Sequence, residues 1–189
     1  RSMTDQTFKL DINWQANHTH SIKTGLHYFN HELKNEWYDI RNEFYNSGSD
    51  SIYAPQIFGD SSAYADVYSI SPKEVAFYIQ DKMEFDDMVI NVGLRYDQFD
   101  PESVYPSDRR NPANQLILPD SMMSLYPGAP VISQISPRVG FAYQLGGQAV
   151  LHFSYGHFFQ MPPMYAMYEN NSFLVDPNNF VTRMGNTLL

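Results

Sequence analysis

From Val75 to Tyr96 the chain alternates bulky apolar and polar residues with a period of two, and this pattern constrains the fold more than any other feature. Successive side chains of a strand point to opposite faces, so a strand here carries one greasy and one wet face. Val75, Phe77, Ile79, Met83 and Phe85 fall on one side, against Glu74, Tyr78, Gln80, Lys82 and Glu84 on the other. After Asp86 and Asp87 the pattern resumes, with Met88, Ile90, Val92, Leu94 and Tyr96 opposing Asn91, Gly93, Arg95 and Asp97. A two-residue turn at Asp86-Asp87 predicts the pairs Phe85–Met88, Met83–Ile90, Ile79–Leu94 and Phe77–Tyr96, all apolar on apolar. A slip of one residue would set Met83, Ile79 and Phe77 against Asn91, Arg95 and Asp97.

Four further segments show the same alternation. Phe8, Leu10, Ile12, Trp14 and Ala16 oppose Thr7, Lys9, Asp11, Asn13 and Gln15; Ile22, Leu26 and Tyr28 oppose Ser21, Lys23, His27 and His31. Val139, Phe141, Tyr143 and Leu145 oppose Arg138, Gly140, Ala142 and Gln144, while Leu151, Phe153, Tyr155 and Phe159 oppose His152, Ser154, Gly156 and Gln160. Three-residue turns at Asn17-His18-Thr19 and Gly146-Gly147-Gln148 would pair Trp14 with Ile22, Phe8 with Tyr28, Phe141 with Phe153 and Val139 with Tyr155. The expectation is therefore an all-β chain of about six antiparallel strands in three hairpins. Between the hairpins lie long polar connections, His31 to Pro72 and Pro101 to Ile135, and a tail follows Gln160.

Short turns alternating with long loops are unusual in a compact soluble domain. They are the rule in transmembrane β-barrels, where periplasmic turns are short and extracellular loops long. Composition agrees: aromatics make 15% of the 189 residues and charged residues only 17%, below the roughly 25% of ordinary soluble proteins. Aromatics gather toward segment ends, with Phe8, Tyr28, Phe77, Tyr96, Tyr155 and Phe159 on the long-loop side and Trp14 and Phe85 nearer the turns. Amphipathic rings favour the headgroup zone at both membrane surfaces. Asp81 is the one interruption of the apolar row of its strand. No apolar run approaches the roughly 18 residues of a membrane helix, so any crossing must be made by strands. With a formal charge of -9 the chain has no basic stripe for nucleic acid. Without cysteine, disulfides, thiolate metal sites and a Cys nucleophile are excluded.

The stretches FYIQDKMEF and NVGLRYDQFDP, then SPRVGFAYQL and LHFSYGHFFQMPPMYAMYEN, resemble the barrel of TonB-dependent outer-membrane receptors. The likeness is greatest to the Oar-like, Bacteroidota-type group, which carries an N-terminal carboxypeptidase-regulatory-like domain. It covers Lys73 to Leu189, with MGNTLL resembling the lead-in to that family's next strand, while residues 1 to 72 match in pattern. The resemblance implies a barrel of about 22 strands, closed by a plug domain and energised by TonB to import a siderophore, glycan or peptide across the outer membrane of a Gram-negative bacterium. It implies no enzyme activity and no cofactor. Since even the smallest outer-membrane barrels have about 8 strands, residues 1 to 189 are expected to form an internal part of the barrel domain, with the plug and other strands elsewhere in the full-length chain. The reading from another class is a soluble all-β ligand- or carbohydrate-binding module; a third is an outer-membrane enzyme.

His18 and His20 form a His-x-His pair that could hold a metal on one strand face, but a tight turn accounts for both. His152 and Ser154 share a face, yet no orienting third residue stands at recognisable spacing, so they read as polar wall. The acidic stretch ELKNEWYDIRNEFYNSGSD reads as a solvated loop without the spacing of an EF-hand. Lys82, Glu84, Arg95, Asp97 and Arg138 should point to the barrel interior, toward the plug or a substrate path. QMPPMYAM is expected to be a loop stiffened by Pro162 and Pro163, with Met161, Met164 and Met167 as adaptable apolar contacts. No catalytic, metal or ligand-binding residue is assigned from the sequence.

Overall fold

The computed structural model describes residues 1–44, 53–116, 118–176 and 182–188. Its strands in chain order are β1 (Ser2–Gln15), β2 (His20–Tyr38), β3 (Ile40–Asn42), β4 (Pro55–Ile57), β5 (Ala65–Ile70), β6 (Lys73–Glu84), β7 (Met88–Asp100), β8 (Ile132–Leu145) and β9 (Ala149–Gly156), followed by one short helix, α1 (Met164–Met167). The main sheet is antiparallel throughout, in the order β1-β2-β6-β7-β8-β9, with β5 added beside the upper part of β2. β3 and β4 form a separate two-stranded ribbon. Among the described residues β1 and β9 are the edges and do not pair with each other.

The expected registers all occur. Phe8 pairs with Tyr28 and Trp14 with Ile22; Phe77 pairs with Tyr96, Ile79 with Leu94 and Met83 with Ile90; Val139 pairs with Tyr155 and Phe141 with Phe153. Across the sheet these pairs merge into continuous rows, such as Leu10–Leu26–Phe77–Tyr96–Ile135. The apolar face is uncovered: Trp14 is 60% exposed, Leu94 53% and Ile135 65%. So wide an apolar surface needs a lipid or protein cover, and only a closed barrel satisfies strand edges inside lipid.

The long connections depart from expectation. His31 to Pro72 is no simple polar loop, because β2 runs on to Tyr38, β5 returns along it, and β3 and β4 lie between them. Most of the acidic stretch is therefore strand, Glu32–Tyr38 in β2 and Ile40–Asn42 in β3, while residues 45–50 lie outside the described residues. β8 begins at Ile132, inside the expected loop, paired with Phe99 of an equally extended β7. β9 ends sooner than expected, at Gly156. Phe159 instead packs near a buried cluster of Leu33, Phe99, Met167 and Tyr168. The proline-methionine stretch does what was expected of its methionines: Met167 is 2% exposed, with Met161 and Met164 against the same cluster, although Met164–Met167 is a helical turn.

Candidate functional site: the polar face of the sheet

Alternation gives the second face of the sheet its chemistry. Residues opposite one another on β1, β2, β6, β7 and β8 form the row Asp11–Gly25–Tyr78–Arg95–Ser136. Within it Tyr78 lies across β2 and donates its hydroxyl to Asp11 Oδ1 at 2.7 Å. His27 Nε2 approaches the same oxygen at 3.2 Å, and its ring meets Tyr78 edge-on at 5.8 Å. The crossing is possible because position 25 has no side chain. A Cβ on Gly25 would overlap both the Asp11 carboxylate and the Tyr78 ring. Thus a bond links β1 to β6 over the intervening strand.

Two other clusters share this face. Arg95 donates its Nε to both carboxylate oxygens of Asp97, at 2.8 and 3.0 Å. His31, 6% exposed, lies between Asp5 on β1 and Glu74 on β6, at 2.8 Å from its Nδ1 and 3.4 Å from its Nε2. Both clusters lie toward the long-loop end. Nearer the turns the face changes character. The rows Asn13–Lys23–Gln80–Gly93–Arg138–Gly156 and Gln15–Ser21–Lys82–Asn91–Gly140–Ser154 contain no carboxylate. Lys82 pairs with Glu84, one position nearer the turn on the same face.

The long-loop end holds a second polar structure. Asp66 on β5 accepts backbone N–H bonds from Asn170 and Asn171, both at 3.3 Å, and a side-chain bond from Asn35 at 3.0 Å. Burial pushes the Asp66 carboxyl above its ordinary range, against the lowering pull of those two N–H groups. Tyr168, 1% exposed, donates its hydroxyl to the Pro101 carbonyl at 2.9 Å, and burial raises its pKa strongly. Arg41 and Tyr64 both reach Asp176, at 3.2 Å. These bonds fasten the segment after β9 onto the end of the sheet.

Of the residues singled out in the sequence, Lys82, Glu84, Arg95, Asp97 and Arg138 do share one face. His18 and His20 do not act together: His20 Nδ1 is taken by Asp81 at 2.7 Å. Among the described residues no group of three or more His, Asp and Glu could hold a metal ion. His152 and Ser154 share the polar face, and no hydrogen bond among the described residues joins them. The Asp11–His27–Tyr78 cluster was not legible, because its members come from three strands. Its one sequence signal is Gly25, a glycine interrupting an otherwise filled strand.

The sequence that builds these two faces matches a known family over its whole length. A family model described as "TonB dependent receptor-like, beta-barrel" matches residues 1–189. The chain belongs to that family. The match includes residues 1 to 72, for which the sequence offered only pattern. No curated protein and no solved structure matches the chain. In a TonB-dependent receptor barrel the apolar rows are the outer wall, the polar rows are the lumenal wall, and the two- and three-residue turns lie opposite the mouth formed by the long connections. No helix of the described residues is long and apolar enough to cross a membrane, and the strands supply the spanning elements.

Proposed function

We propose that residues 1 to 189 form part of the wall of an active outer-membrane importer in a Gram-negative bacterium, of the Oar-like, Bacteroidota type. The remaining strands and a plug domain lie elsewhere in the full-length chain. Lipid covers the rows from Leu10 to Ile135, and the plug and a permeating siderophore, glycan or peptide meet the rows around Tyr78 and Arg138. Energy comes from the TonB system acting on the plug, so the wall itself needs no catalytic group. The observation that carries this reading is the complete agreement of apolar registers over three hairpins, leaving one face of six strands uncovered. A soluble binding module would have to cover that face with a second sheet, and the other sheet among the described residues is only the three-residue β3–β4 ribbon.

The test places Arg at Ile79 or Val92 in the full-length protein and follows assembly into bilayers. A lipid-facing midplane site should lose about 2 to 4 kcal/mol. Recovery of a folded, water-soluble protein from cells without detergent would sink the proposal.

A further inference from the structure

The two carboxylate-free rows of the lumenal wall are exceptional in a chain of net charge -9. Arg138 stands in the first of them on β8, beside the β9 edge. Its directly opposed neighbours on β7 and β9 are both glycines, Gly93 and Gly156, and the next position on its own lumenal face is Gly140. A floor without side chains therefore surrounds a guanidinium group. The resulting recess measures about 640 Å³ and carries Gln80, Asn91 and Ser154 beside the guanidinium. All three can donate hydrogen bonds, and none carries negative charge.

Among the described residues Arg138 has no carboxylate partner; its guanidinium lies over the Phe158 ring at 5.1 Å. Among the described residues the Arg–carboxylate contact on this face, Arg95 with Asp97, lies nearer the mouth. Arginine presents a planar fork of donors that fits carboxylate and phosphate oxygens, and such bonds strengthen away from bulk water. Lys23 lies in the same row on β2, three strands from Arg138, and adds positive charge to the wall outside the recess. We propose that this recess is an oxyanion site, in which Arg138, assisted by Asn91, Gln80 and Ser154, binds a carboxylate or phosphate group presented inside the barrel. The group comes either from an acidic side chain of the plug or from the permeating ligand. This inference rests on the barrel reading, since only a closed wall gives the recess an enclosed interior.

The experiment uses the full-length receptor as wild type, Arg138→Gln, Arg138→Lys and, as a lumenal control, Lys9→Gln. One arm records planar-bilayer conductance as urea is added, which reports release of the plug. The other titrates the receptor with citrate and with inorganic phosphate by calorimetry. If the plug supplies the oxyanion, Arg138→Gln opens the channel at lower urea and Arg138→Lys largely restores the wild-type midpoint. If the ligand supplies it, the urea midpoint holds and Arg138→Gln weakens citrate or phosphate binding at least tenfold. Wild-type behaviour of Arg138→Gln in both arms overturns the oxyanion site alone, as does an equal effect from Lys9→Gln. A wild-type receptor that never conducts at any urea concentration overturns the barrel reading, and the site with it. Should Arg138→Gln fail to assemble, Asn91→Ala and Ser154→Ala, both in the recess, carry the same comparison.

Discussion

Gly25→Ala tests the lumenal wall at its most constrained point. The added methyl would meet the Tyr78 ring at 2.5 Å and overlap the Asp11 carboxylate, and both obstacles are movable side-chain ends. The strands should therefore stay in register while Tyr78 swings off β2. Its 2.7 Å hydroxyl bond to Asp11 is lost. The bond is exposed on the lumenal face, so its loss lowers stability only modestly, and the greater strand propensity of Ala over Gly returns up to about 1 kcal/mol. Tyr78→Phe alone should lower the denaturation midpoint without that return, because the ring stays and only the hydroxyl goes. The decisive quantity is the double variant, measured by guanidinium denaturation of the full-length receptor in lipid vesicles. If Gly25 acts by admitting the Tyr78–Asp11 bond, removing the hydroxyl in the Gly25→Ala background costs almost nothing more. Additive losses would refute the cradle and reduce Gly25 to a weak point in β2.

Further outcomes follow from other parts of the molecule. Val92→Arg should destabilise by about 2 to 4 kcal/mol in bilayers, whereas Asn91→Arg on the lumenal face should assemble normally in a heat-modifiability gel. Tyr168→Phe leaves the Pro101 carbonyl without its 2.9 Å donor, and should loosen the segment after β9 by about 1 to 3 kcal/mol, read as faster hydrogen exchange over residues 164–176. Asp66 has a raised folded pKa. Its contribution to holding that segment is complete below the ordinary carboxylate range and fades as pH rises through the folded value. The protection factors of the Asn170 and Asn171 amides, corrected for the pH dependence of intrinsic exchange, should thus rise on acidification from neutral pH, and Asp66→Asn should abolish that rise.

The hairpin registers were legible because lipid-facing rows obey a two-letter code, apolar or not, that a single strand displays by itself. The pairs Ile79–Leu94 and Phe141–Phe153 needed only a turn position to be fixed. The lumenal wall follows no such code. Tyr78 reaches a residue two strands away because the strand between them has a gap at Gly25, and no local pattern announces which strand lies between. Asp81 was legible as an exception but not as a pair. Its partner, His20, is separated from it by 61 positions in the chain and shares its outer face near the short turns, where headgroups and water soften the cost of polar atoms.

The misread connections have one physical cause, an inversion of phase. Along β2 the outward even positions include Ile22, Leu26 and Tyr28, but beyond Tyr28 they become Asn30, Glu32, Lys34 and Glu36. The odd positions change the other way, from Lys23 and His27 to Leu33, which is 7% exposed. In β7 the same exchange places Gln98 and Asp100 outward and Phe99, fully buried, inward. A strand leaving the membrane no longer gains by facing lipid, so its outer side turns polar. Its inner side can then become apolar only if something covers it. Here that cover is the segment carrying Met167 and Tyr168, which packs on Leu33 and Phe99. Alternation persists through the boundary with its sense reversed, and a search for one continuous greasy face stops at the reversal. The position of that reversal, just past Tyr28 and Tyr96, marks the outer edge of the membrane-spanning band more sharply than the aromatic side chains alone.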